Sequence, residues 1–249
     1  MTTVAAPVRV RAVWPTLWGV ALLAGAVAAG IGGLSLVDAL AATGLPNPGP
    51  ATTYGLPFVR AAGEIAAAVA VGSFLMAAFL VPPQRSGVLD VAGYRALRTG
   101  TVAAGAWTVC AVLLVPLTVS DITGAPLVDR LNPVDIWTVA SMVETAGTWR
   151  WTALLAAIVT VASIPVLRWS WTPVLLAGSL ITLLPLALTG HSSSGGSHDI
   201  ATNSLLIHLI AGVLWAGGLL ALWALAFRGG EHTDLAARRF SRIAVWCFF

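Results

Sequence analysis

Gly190–Leu220 reads GHSSSGGSHDIATNSLLIHLIAGVLWAGGLL, and three of the four histidines of the chain, His191, His198 and His208, lie inside it. A Ser/Gly-rich loop separates an apolar run that ends near Thr189 from another that starts near Asn203 and reaches Phe227. The second run spans 25 residues, and about 20 apolar residues carry a helix across the hydrocarbon core of a bilayer. The stretch therefore reads as two membrane helices joined by a histidine-bearing loop.

The rest of the chain agrees with that class. Of 249 residues, 58% are hydrophobic and 9% charged, too few charges to cover a soluble globule of this size. The expected fold is all-α, a polytopic membrane helical bundle with six complete transmembrane helices and the start of a seventh. Its spans are predicted near 13–42, 57–81, 101–119, 150–167, 172–189 and 203–227, with a cut-off run at 243–249. Residues 1–12 read as a cytoplasmic tail before a transmembrane domain over 13–249. The run from Val13 is much longer than a signal-peptide core and is predicted to be a retained span. In the long polar connection after the third span, NPVDIWTVASMV (Asn132–Val143) is predicted to be a proline-started amphipathic helix at the interface.

Orientation follows from arginine, since the chain has thirteen arginines and no lysine. With the N-terminus in the cytoplasm, Arg9, Arg11, Arg85, Arg95, Arg98, Arg168, Arg228, Arg238, Arg239 and Arg242 fall inside. Only Arg60, Arg130 and Arg150 fall at or beyond the outer face. One threading thus satisfies the positive-inside rule and puts the histidine loop outside the cytoplasm. Asp38, Asp121, Asp129, Asp135, Glu144 and Asp199 also land outside and give approaching cations a mildly negative mouth. The net charge of +3 is a matter of placement and does not argue for nucleic acid.

Imidazole is a common metal ligand and suits copper or zinc. His191 ends the fifth predicted span, His208 lies about five residues into the sixth, and His198 and Asp199 stand in the loop between. Offsets of four, three and four put His208, Gly212, Trp215 and Leu219 on one helical face. Gly212, Gly217 and Gly218 invite a close helix neighbour, so this face is expected to pack on protein, with His208 directed into the bundle. The alternative is that each histidine is an interfacial polar group or a helix–helix hydrogen bonder. Polar groups inside a membrane are costly, which favours a role for the set.

Other candidates are weaker. Glu64 follows Arg60 by four residues, and it is either an ion-pair partner or a carboxylate lining a cation path. Met142 and Met76 offer soft sulfur, though isolated methionines also simply pack. Cys110 and Cys247 have no partner spacing, so no disulfide or CxxC motif exists. His232 is given no role. Neither a P-loop nor a catalytic constellation is present, so an ATP-driven pump or an ordinary enzyme is not expected.

Three segments together resemble the copper-resistance D family of bacterial inner-membrane proteins. They are the GH-loop-HLIAGVLWAGGLLAL pattern from Gly190, the second span from Arg60 to Pro83, and ARRFSRIAV at Ala237–Val245. The resemblance implies a copper site that includes His191 and His208, with Trp215, Gly217 and Gly218 building its helix packing. It also implies a bacterial plasma-membrane location and copper import for homeostasis or for a respiratory oxidase. In actinobacteria such a domain is often the first half of a longer protein whose second half resembles a cytochrome c oxidase assembly factor. Two other readings stay open: a haem b protein with two histidine ligands, and a structural subunit of a membrane complex.

Overall fold

The computed structural model describes residues 23–25, 27–28, 30–32, 47–130, 132–188 and 198–247. Among these the chain is helical, with one isolated bridge between Val88 and Arg168. Four helices are long and apolar enough to cross a membrane: Pro50–Leu80, Val91–Thr123, Trp169–Ala187 and Ser204–Phe227.

Helix α1 (Pro50–Leu75) is the centre. Pro50 fits the first helical turn, where a missing N–H costs nothing, and Gly49 precedes it at φ 85°. Its small residues make α1 narrow enough to be surrounded. Ala66, Ala67, Ala70, Val71, Gly72 and Ser73 are all buried, and 67% of its most apolar window is enclosed, against 11% for Ser204–Phe227.

Helix α2 (Val91–Thr123) starts at Asp90, whose side chain accepts from the Gly93 N–H at 2.6 Å, and stops at Gly124 with φ 60°. Both are favoured capping chemistries. It runs antiparallel to α1. Thr52 and Ser120 share a 2.6 Å hydroxyl hydrogen bond at one end, and Phe74 fills the space over Gly100 near the other.

Asn132 caps α3 (Pro133–Met142) by accepting from the Val134 N–H at 3.0 Å, in agreement with the proline-started helix expected there. Helix α4 (Glu144–Ser163) returns along α2 and ties to it where Ser163 Oγ donates to Thr101 Oγ1 at 2.9 Å. Then come α5 (Thr172–Ile181), the short α6 (Leu184–Leu188), α7 (His198–Phe227) and α8 (Thr233–Trp246).

The end of α1 departs from α-helical winding. Met76–Leu80 is a π-turn, closed by Val81 N–H donating to the Met76 carbonyl at 3.1 Å. Widened turns free carbonyls, and here side chains from elsewhere take them. Trp169 Nε1 donates to Ala78 O at 2.7 Å, Thr172 Oγ1 to Ala77 O at 3.4 Å, and Arg239 Nη1 to Phe79 O at 3.1 Å and Leu80 O at 3.3 Å. Arg239 also puts a positive charge at the negative end of a helix dipole.

The predicted spans at 57–81, 101–119, 172–189 and 203–227 correspond to the four apolar helices, each with somewhat different ends. The span expected at 150–167 overlaps α4, which begins earlier, at Glu144, and ends earlier, at Ser163. Arg150 helps to keep this 20-residue helix below the apolarity of the other four. Most of the run expected at 13–42 lies outside the described residues; Leu23–Gly32 is helical where described, with Gly25 beside Phe58 and Gly32 beside Pro57. The run at 243–249 is, as far as residue 246, the end of α8, which starts at Thr233 and buries Ala236 and Phe240. Residues 248–249 lie outside the described residues.

Candidate metal site

Helix α7 starts at His198, five residues before the predicted start, so His208 sits ten residues in rather than five. Positions 198 and 208 are then about 15 Å apart along one helix axis. That exceeds what two imidazoles can bridge to one ion.

Helical phase decides which way His208 faces. Gly217, nine residues on, lies half a turn round from it at 100° per residue. Gly217 is the contact with α1: a Cβ there would overlap the Ala68 carbonyl, and one at Gly72 would overlap the Gly217 backbone. Gly218 is likewise filled over by Phe240 and Leu75. With that side of α7 committed, His208, Gly212, Trp215 and Leu219 are exposed. This corrects the expectation that their shared face packs on protein. Gly212 has nothing within 4 Å of a Cβ position, so the close approach uses Gly217 and Gly218 alone.

His191 lies outside the described residues, as does the loop up to residue 197. His198 and Asp199 begin α7 in the backbone, and their side chains are not described. Helix α6 ends at Leu188 and packs against α7. Leu183 and Ile210 pack in one small core cluster. From that contact Leu188 lies about 8 Å further along its span and His208 about 3 Å further along α7, so the two stand within one helical turn of the same height.

The accessory candidates sit elsewhere. Arg60 Nε donates to Glu64 Oε1 at 3.2 Å, with both side chains more than half exposed (60% and 64%). Such a pair contributes little, and it occupies the carboxylate. Met142, 79% exposed, ends α3. Met76 is buried in the π-turn. Among the described residues no group of three or more His, Cys, Asp or Glu side chains is placed to hold a metal.

At the opposite end of α7 the structure joins residues that the sequence did not connect. His232 Nε2 lies 3.2 Å from Asp90 Oδ2, and Asp90 Oδ1 caps α2. The signal available was local: Asp90 stands three residues before Gly93 at a helix start, the spacing of an N-cap. Asp90→Ala is expected to lower stability by about 1–2 kcal/mol through the lost cap, and Asp90→Asn by much less, because Asn also caps. Thermal unfolding of the three proteins in one detergent checks this, and equal losses for Ala and Asn would assign the effect to charge instead.

Among the described residues the chain is all-helical, and its four apolar helices, one of them the small-residue centre, are those of a membrane protein. Residues 51–199 match the family described as Copper resistance protein D-like, N-terminal domain. The chain belongs to that family. It is 26% identical over 198 residues to an uncharacterized protein of Mycobacterium leprae, covering 79% of this chain and 30% of that protein. It is 26% identical over 186 residues to uncharacterized proteins of Mycobacterium bovis and Mycobacterium tuberculosis, covering 75% of this chain and 28% of each. The match thus spans less than a third of the length of these relatives. No solved structure matches the chain.

Proposed function

We propose that this protein binds copper at the His208 end of the bundle and passes it inward, for copper homeostasis or to supply a respiratory oxidase. His191 and His208 are the ligand pair. The observation that carries this is the level placement of Leu188 and His208 on packed neighbouring helices, because His191 follows Leu188 by only three residues. His198 and Asp199, at the start of α7, act as the first encounter for an incoming ion. An imidazole on an exposed face of an apolar span is costly unless it is used. Family membership favours copper over zinc, which imidazole number alone does not separate.

In this reading the chain threads the plasma membrane six times and begins a seventh span, with a cytoplasmic N-terminus and a periplasmic histidine loop. The arginine distribution supports that threading. The protein acts as a binding and transport protein and not as an enzyme. Oxidase or assembly-factor partners belong to the same proposal, since the relatives extend well beyond the matched stretch.

The test is elemental analysis with an optical spectrum on detergent-purified protein, wild type beside His191→Ala/His208→Ala. Copper in the wild type and none in the variant, without a Soret band, is the expected result. Unchanged copper in the double variant overturns the ligand assignment, and a Soret band lost with the histidines replaces copper by haem b.

A further inference from the structure

A cavity of about 350 Å³ opens at the far end of α7 from His208, between α1, α2, α7 and the turn at 228–232. Its inner wall is apolar, with Val69, Ala96 and Ala221 among the residues that line it. Its mouth is charged, with Arg95 from α2 and Arg228 from the end of α7. The twenty residues from His208 to Arg228 put it about 30 Å from the histidine end, one hydrocarbon thickness away.

The formal charges of the lining cancel, Asp90 and Glu231 against Arg95 and Arg228, but among the described residues no ion pair joins them. Asp90 lines the cavity, but one carboxylate oxygen accepts from Gly93 N–H and the other faces His232. Glu231 stands exposed at the rim. Arg95 is likewise exposed and Arg228 half-buried, and neither guanidinium has a hydrogen bond or ion pair to another described residue. Burial, and then the neighbouring Arg95, push the Arg228 guanidinium below its usual range. Two guanidiniums on one cavity, neither paired with a carboxylate, can attract an anion. Their forked donors match phosphoryl oxygens in particular.

We propose that this cavity is a phosphoryl-anion site, in which Arg95 and Arg228 hold the phosphate and the apolar wall between the spans receives what the phosphate is attached to. A site of this size, half apolar and set at a span end, matches the headgroup level of a phospholipid. Two unpaired cations call for a headgroup with net negative charge. The site does not depend on the copper reading.

The experiment uses the full chain in an uncharged detergent and reads thermal unfolding and native mass spectra. Phosphatidylglycerol, phosphatidylcholine and inorganic phosphate are each added to the wild type, to Arg95→Gln/Arg228→Gln and to Arg95→Lys/Arg228→Lys. The wild type is expected to retain phosphatidylglycerol over phosphatidylcholine and to melt higher with it. The glutamine pair is expected to bind it about tenfold more weakly or worse, while its ligand-free midpoint is unchanged or higher because a repelling pair is gone. The lysine pair, which keeps charge without the fork, falls between, and it serves as the test if the glutamine pair does not fold. Stabilisation by inorganic phosphate alone, lost in the glutamine pair, supports the same site with a free anion as its source. Equal retention of the two lipids by the wild type, or phosphatidylglycerol binding that neither variant weakens, overturns the proposal.

Discussion

Gly217→Leu is expected to abolish the folded bundle, with a loss of about 3 kcal/mol or more. The reason lies in what the new side chain would meet. A Cβ at 217 overlaps the Ala68 carbonyl and comes within 3.0 Å of the Gly72 backbone nitrogen. Helix backbone cannot rotate aside as a side-chain tip can, so α1 and α7 must separate. Overpacking typically costs 1–3 kcal/mol where side chains can adjust, and here they are not what is struck. Association of membrane helices relies on close van der Waals contact, so separation forfeits most of what holds α7. Gly212→Leu, on the same helix with open space around its Cβ position, is the control and should be close to neutral. Thermal unfolding of both variants in detergent decides it, and equal midpoints would mean that the Gly72–Gly217 crossing does not hold the bundle.

Phe240→Ala is the second large effect, expected at about 3–5 kcal/mol. Phe240 is 6% exposed and packs over Gly218 in the main core cluster, where Leu75 also lies. With Ala236 it makes the buried side of α8. Its loss removes the side chain that seats the helix, and Arg239 loses its alignment with the Phe79 and Leu80 carbonyls. Trypsin should then cut at Arg238, Arg239 and Arg242 on the order of a hundredfold to a few thousandfold faster, if cutting follows the opened fraction. Phe240→Leu should recover most of the protection. Unchanged cleavage in the alanine variant would show that α8 is seated by other contacts.

The helical class, four of the apolar runs and the short Asn132-capped helix were legible in the sequence, because each rests on a local signal: run length, a cap, a proline. The start of α7 was not. SHDIATN reads as loop by composition, yet His198–Asn203 continue the helix, since one polar turn at a span end is compatible with either state. The direction of His208 was misread for a related reason. Counting its own face joined it to Gly212 and Trp215, whereas the face that packs is set by Gly217, and only the partner backbone of Ala68 and Gly72 reveals which glycine is used. Arg95, Arg228 and the Asp90–His232 pair come together across more than a hundred residues of sequence, a distance over which no periodicity speaks.

The π-turn at Met76–Leu80 also puts a clock on assembly. Its carbonyls are present as soon as α1 is made, but the Arg239 guanidinium that takes two of them lies 160 residues further along the chain from Phe79. At ribosomal speeds that interval is on the order of ten seconds. For that time the end of α1 must borrow donors from water, headgroups or the insertion machinery. The last helix in the described chain thus closes the first long one, and the bundle's centre is completed only when α8 arrives.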